Sequence, residues 1–150
     1  MSRFHENPFY DFVLSTAGFN VPSTRTGYSN SLPNPESKSV REFRQGIRDA
    51  LPSFVRKGRP IPLKGRIFLS IAIGLTPKEF ESKDIDNMAK SVIDCLKGVL
   101  FVDDKQIDVL HVVRFESDDF LFNFGVKELK LSDKKWYSPR LFRNRIMGEI

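Results

Sequence analysis

Cysteine is almost absent from this chain of 150 residues. Cys95 stands alone, so no intramolecular disulfide can form. One cysteine and two histidines do not make a zinc site either. No stretch approaches the roughly 20 consecutive apolar residues of a membrane-spanning helix. The first ten residues lack the apolar core of a secretory signal. These absences lead us to expect a soluble, cytoplasmic protein in a reducing compartment. Internal repeats are also missing, which excludes a solenoid or an array.

Charge and apolar residues are both plentiful, at 29% and 40%. That composition is globular rather than disordered. A chain of this size makes one ordinary domain and buries roughly 70% of its unfolded surface. The net charge is +5, and it is unevenly spread. Lys38 to Arg66 holds nine basic residues against Glu42 and Asp49. Glu79 to Asp108 holds eight acids against four lysines. The stretch from Ser132 onward is basic again. An acidic centre between basic flanks suits a solvated surface. It equally suits a phosphate-tracking surface around a cation-binding pocket.

The pattern of residues divides the chain in three. Residues 1–37 read as a weakly structured arm, rich in Ser, Thr, Asn, Gly and Pro after Ser15. Residues 38–131 read as the folded domain, and 132–150 as a basic tail. Val40, Phe43, Ile47 and Leu51 recur at helical spacing, with Arg41, Arg44 and Arg48 on or near the other side. A Pro- and Gly-bearing basic linker follows, containing Arg56, Lys57 and Arg59. Ile67, Leu69, Ile71, Ile73 and Leu75 alternate as one face of a strand, and Phe68 and Ala72 make its other face apolar, as in a central strand. Thr76–Lys83 reads as a loop. Asp86 to about Lys97 reads as a helix stopped by Gly98. Ile107, Val109, His111, Val113 and Phe115 alternate, as do Phe120, Phe122, Phe124 and Val126. With Ser117–Asp119 as the turn, these two strands read as an antiparallel hairpin. The sum is an α+β domain: a small mixed β-sheet covered by helices on one face.

Chemistry concentrates between Asp84 and Ile107. Asp84 and Asp86 stand two apart, and in extended chain such residues point the same way. One reading makes them a helix cap and a solvated acid. The other makes them paired oxygen ligands for Mg²⁺ or Mn²⁺, since no His or Cys lies close in sequence. Asp103-Asp104 is a second acidic pair, either a polar turn or further ligands. If the following strand returns beside Arg66–Leu75, Asp104 is expected to converge with Asp84 and Asp86. Lys90 lies one helical turn after Asp86, and Asp94 one turn after Lys90. These form either an ordinary ladder of helix charges or a lysine leaning toward a bound phosphate.

The combined pattern Asp84-x-Asp86-Asn87-x-x-Lys90, Asp94-x-Leu96, Gly98 and Asp103-Asp104-x-Gln106-Ile107 resembles the RusA family of phage-type Holliday junction resolvases. The close match covers about 24 residues of this chain, and a looser one runs from about Ile61 to Leu131. The resemblance implies a RusA-like single domain and a homodimeric, Mg²⁺-dependent endodeoxyribonuclease, with Mn²⁺ as a substitute. It implies a bacterial or phage-encoded enzyme that nicks opposed strands of a four-way DNA junction. It also implies that Asp84, Asp86 and Asp104 hold the metal and that Lys90 joins them in catalysis. Family members often carry arginines just before the first acids. Here Lys78–Lys83 is nearly neutral, so DNA contact is expected from Arg41, Arg44, Arg48, Arg56, Lys57 and Arg59. Two rival readings are a nuclease of the same fold acting on other branched DNA, and a non-catalytic DNA-binding module.

Overall fold

A computed structural model of the chain describes residues 10–18, 20–23, 38–50, 61–130 and 132. In chain order its elements are β1 (Phe12–Ala17), α1 (Lys38–Ala50), β2 (Ile67–Leu75), α2 (Pro77–Ser82), α3 (Ile85–Leu96), a 3-10 turn (Asp104–Gln106), β3 (Ile107–Glu116) and β4 (Leu121–Glu128). The strands form one mixed sheet in the order β1-β4-β2-β3. The α+β reading therefore holds, with helices over one face.

β2 organises the sheet. Its five alternating side chains, Ile67, Leu69, Ile71, Ile73 and Leu75, are all 0% exposed. Burying each stabilises the fold by about 1.5–3 kcal/mol relative to leaving it in water. They pack with Leu14 of β1, Phe122, Phe124 and Val126 of β4, and Phe43 and Ile47 of α1. Met88, Val92, Cys95 and Leu96 close the same core from α3. Phe43 meets Phe122 edge-on, with ring centroids 5.2 Å apart. Of the apolar positions expected on α1, Phe43 and Ile47 are buried and Val40 is half-buried, while Leu51 lies outside the described residues.

β2 pairs in parallel with β3 and antiparallel with β4. A parallel neighbour requires a crossover, which α2 and α3 supply. The expected β3–β4 hairpin does not form. After β3 the chain crosses the end of β2, where the Ser117 amide donates to the Leu75 carbonyl at 2.8 Å. β4 then runs down the far side of β2. Alternating side chains specify a strand's faces but not its edge partner, and β2 needed a partner on each edge. Gly74 lies at this crossing. A Cβ there would stand 2.9 Å from Leu121 Cβ and 3.0 Å from the Phe115 ring.

Three further expectations change. The loop at 76–83 contains α2, started by Pro77 in the first helical turn, where a missing amide costs nothing. Within the expected arm, Phe12–Ala17 is a strand paired with β4. Its Thr16 hydroxyl donates to the buried Phe122 carbonyl at 3.0 Å. Residues 24–37, residues 51–60 with the first half of the linker expected at Arg56–Arg66, and the tail from 133 onward lie outside the described residues. Finally, the β2–β3 register shifts between Ile67, opposite Ile107, and Phe68, opposite Val109. This irregularity changes the phase of β3. Ile107, Leu110, Val112 and Arg114 share the helix side, and Val109, His111, Val113 and Phe115 take the open side. Among the described residues no helix is long and apolar enough to cross a membrane.

Candidate active site

The first acids sit where β2 hands the chain to the helices. Asp84 occupies the N-cap of α3 in extended conformation, φ −85° and ψ 141°. Its carboxylate makes no capping bond to the helix amides. Its neighbour is the Asn87 carboxamide, with Nδ2 at 3.5 Å from Oδ2. Asp86 follows in the first turn and is exposed. Both carboxylates stand at the end of α3 where unpaired amides concentrate positive potential. Lys90 is exposed one turn further on, as is Asp94. No ion pair joins Lys90 to either acid, so the simple charge ladder is not observed.

Two basic residues hold the peptide just before Asp84. Arg114 of β3 donates through Nη1 to the carbonyls of Phe80 and Lys83, both at 2.7 Å. Its guanidinium lies over the Phe80 ring, 4.1 Å from the centroid. The Lys83 ammonium pairs with Glu79 at 3.0 Å and donates to Asn20 Oδ1 at 2.6 Å and the Val21 carbonyl at 3.0 Å. The backbone that presents Asp84 is thereby fixed from β3 on one side and from residues 20–21 on the other. Sequence reasoning missed this role for Arg114. The available signal was a lone arginine in an otherwise apolar run, Val112-Val113-Arg114-Phe115.

The second acidic pair is built differently. Asp103 caps the 3-10 turn, accepting from the Lys105 amide at 3.2 Å. Gln106 completes a reciprocal capping box. Its carboxamide oxygen accepts from the amides of Val102 and Asp103 at 2.8 and 2.9 Å. Its Nε2 donates to the carbonyls of Leu63 and Gly65, each at 2.8 Å. A hydrogen bond from Asp104, then that from the Lys105 amide, then the charges of Lys97 and Lys105 hold the Asp103 carboxyl below its ordinary range. Asp103 therefore serves the turn. Asp104 is 54% exposed, with Lys97 Nζ 3.9 Å away. The geometry separates the two acids, which residue spacing alone could not do.

The two acidic pairs do not meet. Among the described residues no three carboxylate, His or Cys side chains are gathered closely enough to hold a metal. Asp84 and Asp86 open α3, whereas Asp104 follows its far end beside Lys97. A helix of 12 residues separates these ends by about 17 Å along its axis. The strand does return beside β2 as expected, but it brings Asp104 to the wrong end. In a strand–helix–parallel strand unit, the chain comes back to the start of the first strand. Residues before β3 therefore lie near Ile67, and residues after β2 lie near Leu75.

Of the expected DNA contacts, Arg41 and Arg48 are exposed on α1 and Arg44 is half-buried, while Phe43 and Ile47 turn inward. Arg56, Lys57 and Arg59 lie outside the described residues. His111 is exposed on the edge strand, 3.3 Å from the Ser70 hydroxyl, and Cys95 is buried.

The family model described as Endodeoxyribonuclease RusA matches residues 20–120, two thirds of the chain. The chain belongs to the RusA endodeoxyribonuclease family. The matched span contains α1, β2, α2, α3 and β3, and with them Asp84, Asp86, Lys90, Asp104 and Arg114. β1 and β4 fall outside it, so this chain's sheet extends beyond the family match. Among curated proteins, none matches the chain. Family membership supports endodeoxyribonuclease activity on branched DNA junctions.

Proposed function

We propose that this RusA-family nuclease acts as a homodimer, using Mg²⁺ to resolve four-way DNA junctions by paired nicks. The observation that carries the reading is the pair Asp84 and Asp86: exposed carboxylates at the positive end of α3, with no cationic side chain among the described residues bound to either. An oxygen-only donor set of this kind fits a hard divalent cation, with water and phosphate completing its shell. Asp84 and Asp86 would hold Mg²⁺, or Mn²⁺ in its place; Asp104, beyond the far end of α3, does not reach them within one chain. Bound there, such an ion lowers the pKa of a coordinated water and polarises the phosphate. The α3 dipole favours the negatively charged groups gathered at its N-terminus. Lys90, exposed one turn up, supplies positive charge toward phosphate oxygens as the bond to the leaving oxygen breaks. The basic face of α1, with Arg41 and Arg48, offers the DNA arms a sequence-independent grip. Two equivalent nicks on a two-fold junction call for two equivalent sites, hence a dimer. A bacterial or phage-encoded enzyme working in the cytoplasm is consistent with this substrate.

The test is cleavage of a mobile four-way junction with each strand labelled, beside flap, fork and linear duplexes, with and without Mg²⁺. We expect Mg²⁺-dependent cuts at symmetric positions on opposed strands of the junction. Equal cutting of flaps or forks would support the same chemistry on a broader range of branches. No cutting with either metal ion would overturn the assignment.

Arg114 gives a second expectation. Arg114→Ala frees the carbonyls of Phe80 and Lys83 and loosens the peptide that presents Asp84. Positioning groups around a metal site typically contribute 10–100-fold. The maximal cutting rate should fall about 10-fold or more, with more Mg²⁺ needed for half of it, while affinity for the junction in Ca²⁺ stays unchanged. Arg114→Lys retains a donor and should recover part of the loss. An unchanged Mg²⁺ requirement in the alanine variant would reduce Arg114 to a structural role.

A further inference from the structure

We propose that the cavity between α1, α2 and residues 20–23 receives one unstacked nucleobase of the branched DNA, and that Glu79 reads its amino edge. The inference rests on the nuclease reading for the identity of the ligand. The cavity itself stands on separate observations.

The first is its size and place. It encloses about 640 Å³, within the range of small-molecule sites. Lys83 lines it, and Asp84 is the next residue. Both are in extended conformation, Lys83 at φ −116° and ψ 130° and Asp84 at φ −85° and ψ 141°. Consecutive side chains of extended backbone leave opposite sides of the chain. Lys83 therefore faces the cavity and Asp84 faces away from it. One peptide segment separates the cavity from the proposed metal site. A DNA strand that brings a phosphate to Asp84 and Asp86 passes this segment, with the cavity beside it.

The second is the chemistry of the lining. An ammonium group has three donors. Those of Lys83 go to Glu79 Oε2 at 3.0 Å, Asn20 Oδ1 at 2.6 Å and the Val21 carbonyl at 3.0 Å. None is left for a phosphate oxygen, and the carboxylates of Glu42 and Glu79 oppose an anion. Two carboxylates are also too few for a metal centre. What the cavity offers is acceptors, an amide donor and apolar wall. Glu79 Oε1 has no partner among the described residues, and the side chain is 28% exposed. The Asn20 carboxamide receives the Lys83 bond on its oxygen, which leaves its nitrogen to donate. Phe43 and Pro22, both buried, supply the apolar surface. This set fits a neutral planar group with N–H donors on its edge. A carboxylate accepts from an exocyclic amine such as that of cytosine, and thymine has no such amine.

The third is the link to the acids. The Lys83 network that forms the cavity wall also fixes the peptide that presents Asp84. A base seated against Glu79 therefore sets the register of its strand on the two acids. Unstacking costs least for a base that is already unpaired or mismatched. Linear duplex must break a pair to fill the cavity, whereas a branch interrupts stacking beforehand. The cavity thus supplies a preference for branched DNA that the acids alone do not.

The test is binding in Ca²⁺, which needs no cutting. Four-way junctions carry 2-aminopurine, whose fluorescence rises when it leaves the stack, at successive positions around the branch. The protein should raise the signal several-fold at one position in each of two opposed strands, and not in linear duplex. Ser82→Phe alters an exposed residue of the lining and puts a ring into the space. It should abolish the rise while the protein melts as the wild type does. Placing thymine at the responsive position should weaken wild-type binding about 5-fold or more relative to cytosine or adenine. Glu79→Gln keeps an acceptor for Lys83 and should level that difference. No rise at any position, or an equal rise with Ser82→Phe, would overturn the cavity as a base site. Equal affinity for thymine would overturn the role of Glu79, and that comparison uses only the wild-type chain. If the signal behaves as expected and Mg²⁺ yields no cuts, the nuclease reading fails and the base site stands. If junctions are cut with no rise, the base site alone fails.

Discussion

Asp86→Asn should abolish junction cutting while leaving the protein folded and able to bind DNA. Asp86 is exposed and makes no ion pair with Lys90, so no buried partner is stranded by the change. Asparagine keeps the side chain's shape and removes its charge. The lost interaction with the α3 dipole costs about 0.3–1 kcal/mol, a shift of a few degrees in melting temperature at most. The catalytic cost is larger. A carboxylate that holds a metal ion sets both the affinity for the ion and the position of the water it activates. Removing a single group that stabilises transition-state charge typically lowers rates by roughly 10²–10³-fold, equivalent to about 2.7–4 kcal/mol of barrier. The measurement is single-turnover cutting of a labelled junction at several Mg²⁺ concentrations, beside thermal melting and a binding assay in Ca²⁺. A variant that melts as the wild type does, binds the junction and does not cut places Asp86 in the chemistry. One that cuts at wild-type rates returns Asp86 to the role of a solvated helix acid.

How much of this was legible beforehand depends on the range over which each signal acts. β2 and α3 were readable because their side chains report locally on a buried face. Ile67 through Leu75 alternate, and Met88, Ala89, Val92, Ile93 and Leu96 recur at helical spacing, all but the half-buried Ile93 being buried. Gly98 was readable as a stop and adopts φ +80°, a conformation that favours glycine. The acids were also visible as residues. Their separation was not, because spacing along a chain says nothing about which end of a strand the next element meets. The expected hairpin failed for a related reason. Ser117–Asp119 can close a two-stranded turn, or it can carry the chain around the end of β2. Only the two unpaired edges of β2 decide between them. Arg114 and Lys83 escaped notice because, apart from the Lys83–Glu79 pair, their partners lie 31 to 63 positions away and are mostly backbone carbonyls.

The largest expected loss of stability comes from Gln106, a residue that need not touch DNA. Its carboxamide uses both donors and both acceptor positions, on Leu63, Gly65, Val102 and Asp103. These four bonds tie the turn bearing Asp104 to the segment that enters β2. Gln106 is 9% exposed, so water cannot readily replace it. Gln106→Leu keeps the volume but strands two amides and two carbonyls. With each unmet group costing about 1–3 kcal/mol and partial rehydration at the exposed side, a loss of roughly 3–5 kcal/mol is expected. That is a large part of the ~5–15 kcal/mol that holds a domain together. Urea unfolding at neutral pH would measure it, and a loss below 1 kcal/mol would show that the turn holds itself. Gln106→Glu separates hydrogen bonding from packing. The introduced carboxylate can accept from the two amides but faces two carbonyls and lies near Asp103 and Asp104. The folded state therefore favours its protonated form and raises its pKa above the unfolded value. Its charged form penalises folding as pH rises, so the deficit relative to wild type should be greatest at neutral pH and shrink on acidification. Asp103 acts in the opposite sense. Its lowered pKa stabilises the turn above the ordinary carboxylate range, and that contribution fades as pH falls below about 4. Because this second trend is common to wild type and variant, the difference between their stability curves isolates position 106. A deficit that does not change with pH would mean that the carboxamide's two donors contribute little, and that the two amides it accepts from hold the turn.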